Sequence, residues 1–136
     1  MDWEPLVAAA RAARERAYAP YSGYRVGAAV AAADGTVYAS GNVENGIPAL
    51  SVCAERLAVA AAVAAGRRDL AALAVVTGSS PPARPCGLCR QALAEFASDL
   101  PVLCVNDRDE REPTTLGELF PAPFRLADEA GGGGTG

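Results

Sequence analysis

The sequence predicts an α/β fold in which a mixed sheet carries helices on its faces. Three observations lead there. Short apolar runs of strand length alternate with longer helix-forming segments. Asp34-Gly35 is a turn signal between two strand-like runs, which makes them a hairpin. No internal repeat or second domain interrupts the 136 residues, a length that suits one core.

The elements follow in chain order. Asp2 and Pro5 signal the start of a first helix with Leu6, Ala10, Ala13 and Ala17 on one face, and Pro20 bounds it. Tyr24 to Ala32 reads as a strand and Val37 to Val43 as its hairpin partner. Cys53 to Ala65, rich in Ala and Leu, reads as a helix stopped by Gly66. Leu73 to Val76 is a short buried strand, and Pro85 with Cys86 opens a helix running through Phe96. Val102 to Val105 is another buried strand, after which Thr115 can cap a short helix over Leu116 to Leu119. The expected organisation is one domain over residues 1–127 and a flexible glycine-rich tail over 128–136.

Composition excludes several classes of function. Hydrophobic residues make up 51% of the chain, much of it alanine, yet the longest apolar run, Leu57 to Ala65, is too short to cross a bilayer. Asp2 and Glu4 stand where a secretory signal would be basic and then apolar, so the cytoplasm is the expected location. In a reducing compartment, four cysteines favour metal binding or catalysis over disulfides. The net charge is −4 and Arg67-Arg68 is the only basic doublet, which argues against a phosphate-tracking surface and a nucleic-acid partner. The chain contains no histidine, and all twelve basic residues are arginine. Histidine triads, lysine Schiff bases and histidine-bound metals are therefore excluded.

The chemistry concentrates in two short segments, Cys53-Ala54-Glu55 and Pro85-Cys86-Gly87-Leu88-Cys89. A Cys-x-x-Cys pair alone suits structural zinc or redox work equally. Cys53 with Glu55 two residues on adds a third thiolate and a carboxylate. That is the requirement of a catalytic zinc, with three protein ligands and one position open to water. Both segments fall at expected helix starts, where unpaired N–H groups favour thiolates. Arg56 is placed to offset the negative charge of three thiolates, and Arg90 could act similarly. Cys104, inside Val102-Leu103-Cys104-Val105, reads instead as a small buried hydrophobe. A zinc-stabilised binding module without catalysis remains the competing reading, and it would require a fourth protein ligand. An enzyme acting on a polynucleotide would need a cationic strand-tracking surface, for which this acidic chain offers little.

These residues resemble the zinc-dependent cytidine deaminase family in its small, homotetrameric, three-cysteine form. The resemblance rests on Cys53-Ala54-Glu55-Arg56 and Pro85-Cys86-Gly87-Leu88-Cys89-Arg90-Gln91. It extends to Tyr21-Ser22-Gly23-Tyr24-Arg25-Val26-Gly27-Ala28-Ala29, Asn42-Val43-Glu44-Asn45 and Leu119-Phe120-Pro121-Ala122-Pro123-Phe124. It implies a three-layer α/β/α fold with roughly five strands and one Zn²⁺ per subunit. It also implies hydrolytic deamination of cytidine or 2′-deoxycytidine, within pyrimidine salvage. Glu55 would take a proton from water activated at the metal, then deliver protons to N3 and to the departing amine. Ala54 N–H would meet the base carbonyl, Tyr24 (usually Phe in the family) would pack on the base, and Asn42 and Glu44 would bind the ribose. Phe124 would close a neighbouring subunit's site in the homotetramer. The pattern breaks after Asn45, where the family commonly reads Asn-Ala-Ser-Tyr and this chain reads Asn45-Gly46-Ile47-Pro48. Relatives accept modified cytidines or blasticidin S, so the altered loop leaves a modified aminopyrimidine nucleoside as the alternative substrate.

Overall fold

A computed structural model of the chain describes residues 1–126; the expected 128–136 tail lies outside the described residues. The elements are α1 (Glu4–Glu15), β1 (Gly27–Ala32), β2 (Val37–Gly41), a 3-10 turn (Pro48–Leu50), α2 (Ala54–Ala64), β3 (Leu70–Val76), α3 (Gly87–Ala94), β4 (Pro101–Val105), β5 (Arg111–Thr115) and α4 (Leu116–Leu119). They form the expected three-layer architecture around a five-stranded sheet ordered β2-β1-β3-β4-β5. Among the described residues, the β3–β4 pair runs parallel and the other neighbouring strands are antiparallel. That single parallel pair needs a crossover, and α3 supplies it.

Side-chain alternation along the central strands sorts the core into two layers. Ala29, Ala31, Ala72, Ala74, Val76, Leu103 and Val105 face one way and pack against Leu6, Val7 and Ala10 of α1. Ala28, Val30, Leu73, Val75, Val102 and Cys104 face the other way, against Ala58, Val59 and Ala62 of α2 and Leu93 of α3. The many alanines allow helix and sheet backbones to approach closely. Burial pushes the Cys104 thiol up to about 11, in keeping with an inert core position.

Several element bounds differ from those read in the sequence. Helix α1 ends at Glu15 rather than near Pro20, because Arg16 and Ala17 turn the chain through bonds to Ala13 O and Arg14 O. The first strand begins at Gly27 rather than Tyr24, and the second ends at Gly41 rather than Val43. Helix α3 stops at Ala94, short of Phe96. Strand β5 carries no apolar alternation and includes Pro113, a composition tolerated at a sheet edge where one partner suffices. The Thr115 cap is present, its hydroxyl accepting from Glu118 N at 3.2 Å.

Gly27, at the start of β1, marks the closest approach of sheet and helix. A Cβ there would lie 1.9 Å from Ala10 O and 2.8 Å from the Arg14 Cβ, so α1 could not keep its place. Gly27→Ala is expected to cost about 3 kcal/mol or more and to lower Tm by roughly 10 °C. An unchanged thermal unfolding curve would contradict this packing.

Candidate metal centre and active site

The site lies where α2 and α3 begin, on the same layer of the sheet. Cys53 and Cys86 are the residues immediately before the two helices, both extended in φ and ψ, and Cys89 falls in the first turn of α3. The extended cap residues direct their side chains toward the helix starts, and the i, i+3 spacing brings Cys89 beneath Cys86. The sulfurs converge: Cys53 Sγ to Cys86 Sγ is 3.8 Å, Cys86 Sγ to Cys89 Sγ is 3.4 Å, and all three lie within 4.8 Å of one another. Cys104 is not part of this group.

The donor set fits zinc, which prefers soft thiolates in tetrahedral array. The electrostatics point the same way. The Cys53 thiol is drawn down to about 5, chiefly by Cys89 donating to its sulfur; burial opposes and the Arg56 guanidinium assists. Cys89, the donor in that pair, is pushed up. A metal would replace the shared proton and bring all three groups to thiolate. Arg56 Nε is buried and has no partner among the described residues, while its Nη2 reaches Ser51 O at 3.5 Å. An orphaned cationic donor beside the sulfurs is consistent with a negatively charged centre there.

Glu55, in the first turn of α2, is 5% exposed. Burial pushes its carboxyl up to about 7, and the Cys53 charge adds to the effect. Glu55, Cys53, Cys86 and the fully buried Ala54 share a cavity of about 300 Å³. That volume falls at the small end of ligand sites.

The other residues singled out in the sequence divide into two sets. Tyr24, Asn42 and Glu44 line the same cavity. Asn42 is fixed by Val26 N donating to Oδ1 at 2.9 Å and by Nδ2 donating to Tyr24 O at 3.0 Å. Glu44 Oε1 accepts from Tyr21 N at 3.0 Å and Ser22 N at 3.1 Å, while Oε2 accepts from the Ser22 hydroxyl. The Ser22 bonds hold this carboxyl below its ordinary range. Both residues thus organise the segment that presents Tyr24. Arg90 and Phe124 stand apart from the cavity lining. Arg90 donates to Pro85 O and Leu119 O, both at 2.8 Å, which ties the ligand segment to α4. Phe124 is 68% exposed, with its backbone clamped by the Gln91 side chain at 2.9 and 3.1 Å.

Val26, Ser51, Val52, Thr77, Ala83 and Arg84 also line the cavity and were not singled out in the sequence. Ser51, Thr77 and Arg84 are polar, but none has a spacing signal: Thr77 directly follows β3, Arg84 directly precedes the Pro85-Cys86 segment, and Ser51 lies in the loop before Cys53. The unusual loop after Asn45 folds locally: Ile47 N donates to Asn45 Oδ1 at 2.9 Å, and Asn45 N to Ser51 Oγ at 3.0 Å. Pro48–Leu50 then makes the 3-10 turn, leaving Ile47 and Leu50 exposed.

Fold and site together define an α/β enzyme with a three-thiolate zinc centre and a buried carboxylate beside it. Comparison with known proteins specifies which. Residues 2–104 match the family described as the cytidine and deoxycytidylate deaminase zinc-binding region. Over 129 residues the chain is 46% identical to a cytidine deaminase of Sporosarcina psychrophila, covering 94% of this chain and 95% of that one. A cytidine deaminase of Halalkalibacterium halodurans is 43% identical over 129 residues, with 94% and 98% covered. The crystal structure of cytidine deaminase from Burkholderia pseudomallei superposes with a TM-score of 0.88 at 45% identity, covering 91% of this chain and all of that one. The chain belongs to the zinc-dependent cytidine and deoxycytidylate deaminase family.

Proposed function

We propose that this chain hydrolyses cytidine and 2′-deoxycytidine to uridine or 2′-deoxyuridine and ammonia, as a cytoplasmic step of pyrimidine salvage. The observation that carries the reading is one buried carboxylate, Glu55, sharing a cavity with Cys53 and Cys86, two of the three convergent thiols. Cys53, Cys86 and Cys89 would hold zinc, which when bound acidifies water and so supplies a nucleophile at neutral pH. Glu55 would accept that proton and deliver it to N3 as the oxygen bonds to C4. It would then take the remaining proton from the new C4 hydroxyl and pass it to the amine, which leaves as ammonia as the C4–N4 bond breaks and the C4 carbonyl forms. In the zinc-free chain burial raises this carboxyl to about 7, and one desolvated carboxyl beside the reacting atoms can serve as base and then as acid. Arg56 balances the thiolate charge. Ala54 N–H, at the start of α2, meets the O2 carbonyl, so the N3–O2 edge of the base faces that helix. Asn42 and Glu44 then receive the ribose, and Tyr24 packs on the base.

Zinc-loaded protein is expected to remove cytidine absorbance with release of one ammonia per turnover. Its kcat/KM for cytidine should exceed the values for N4-substituted cytidines and blasticidin S. Protein with a full zinc complement and no turnover of cytidine would overturn the reading.

Assembly belongs to the same proposal. Phe124 stands exposed on its own chain, and Tyr21, Ile47 and Leu50 are exposed as well. A homotetramer would cover such apolar surface and deliver Phe124 to a neighbouring site. Light scattering should therefore give the mass of four chains. The mass of one chain would rule out a shared site.

A further inference from the structure

We propose that a hydroxyl bridge between Tyr24 and Ser79 restricts the site to pyrimidine nucleosides unsubstituted at C5. The inference rests on the substrate orientation given above. With C4 at the thiols, the N3–O2 edge at the start of α2 and the ribose at Asn42 and Glu44, one edge of the base remains. That edge carries C5 and C6, and we place it against the wall of Tyr24, Thr77, Ala83 and Arg84, which line the same cavity.

This wall is built from two segments that leave the same end of the sheet. Gly27 of β1 pairs with Val76 of β3, so the chain before β1 and the chain after β3 lie side by side. Tyr24 comes from the first and Ser79 from the second, and their hydroxyls meet at 2.5 Å. The Ser79 side of the bridge is anchored. Ser79 N donates to Thr77 Oγ1 at 3.2 Å, and Asn106 Nδ2 donates to Ser79 O at 3.0 Å. Asn106 is 1% exposed, and its remaining amide positions are taken by the Glu110 carboxylate and by the Arg108 and Glu110 N–H groups. The Tyr24 backbone is anchored as well, its N–H donating to Ser22 Oγ at 2.9 Å. A ring pinned at its backbone and at its tip cannot swing aside for a substituent, although Tyr24 is 43% exposed and has solvent to swing into. Without the tip bond, the ring is free to move outward. Tyr24 therefore acts as a specificity residue and Ser79 as the residue that positions it.

The test is the ratio of kcat/KM for 5-bromocytidine to that for cytidine. It is measured in the zinc-loaded wild type, Tyr24→Phe, Ser79→Ala, the double variant and Ser79→Thr. Each of the first two single changes should raise the ratio about three- to tenfold, the scale of one neutral hydrogen bond. The double variant should rise no further, since both changes remove the same bond. Ser79→Thr keeps the hydroxyl and should return the ratio to near wild type. A ratio unmoved by Tyr24→Phe and Ser79→Ala overturns the proposal, as does a double-variant effect equal to the product of the singles. A wild type that turns over cytidine while these ratios stay flat defeats this inference alone. A wild type inert toward cytidine defeats the functional reading on which it rests.

Discussion

Replacing Glu55 by Gln is expected to lower kcat for cytidine by about a thousandfold or more while zinc content stays at the wild-type level. Gln keeps the shape of the side chain and removes its proton chemistry. In the proposed reaction Glu55 acts as base toward water and as acid toward N3 and the amine, so one substitution disables several transfers. Glu44, another carboxylate lining the cavity, cannot substitute: bonds from Tyr21 N, Ser22 N and the Ser22 hydroxyl fix its position and hold it ionised, so it can accept from the ribose but has no proton to deliver. Retained turnover in Glu55→Gln with full zinc would refute the assignment. A second readout separates the chemistry from the fold. Burial raises the carboxyl from 4.5 to about 7, so the folded, zinc-free chain holds this proton more tightly than the unfolded chain does. Its stability therefore falls as pH climbs from 4.5 to 7, and Gln does not titrate. In chelator-treated protein, Glu55→Gln should exceed wild type in unfolding free energy above pH 7 by roughly 3 kcal/mol at most. That gap should close below pH 4.5. Denaturant titrations across this range would show it, and a gap independent of pH would mean that Glu55 is not desolvated.

The site was more legible in the sequence than the wall around it, for a physical reason. Cys53 and Glu55 are two residues apart, and Cys86 and Cys89 are one helical turn apart, so local spacing alone places each pair. Only the meeting of the two helix starts required the fold. Tyr24 and Ser79, by contrast, are 55 positions apart and meet because β1 pairs with β3. Neither hydroxyl announces the other. Arg90 shows the opposite difficulty. Its position after Cys89 suggested charge balance at the metal, whereas its guanidinium is placed on the carbonyls of Pro85 and Leu119. Adjacency in sequence does not fix where a long side chain points. Strand β5 escaped notice because an edge strand with one partner needs no apolar face: Arg111-Glu112-Pro113-Thr114-Thr115 has none. The central strands were legible because burial on both faces demands continuous apolar runs.

Substituting Cys89 by Ala should remove zinc from the chain, and activity with it. Cys89 is the most buried of the three thiols, at 0% exposure, and it is the one held within a helix rather than just before it. Alanine fits the space with little loss of apolar contact, so the effect reports on ligation rather than packing. Bound metal measured by mass spectrometry should fall from about one zinc per chain to near zero. The stability consequence follows from linkage: a ligand whose Kd lies a thousandfold below its free concentration stabilises by about 4 kcal/mol. Zinc would also join the starts of α2 and α3, helices that share one core layer through Ala54, Ala58, Leu93 and their neighbours. Chelation should therefore lower the wild-type Tm by about 10 °C and leave that of Cys89→Ala unmoved. The two proteins should converge in excess chelator. A Cys89→Ala chain that still holds a full zinc would show that two thiols and some other donor suffice. The three-thiolate centre, and with it the role of Arg56 in balancing its charge, would then have to be abandoned.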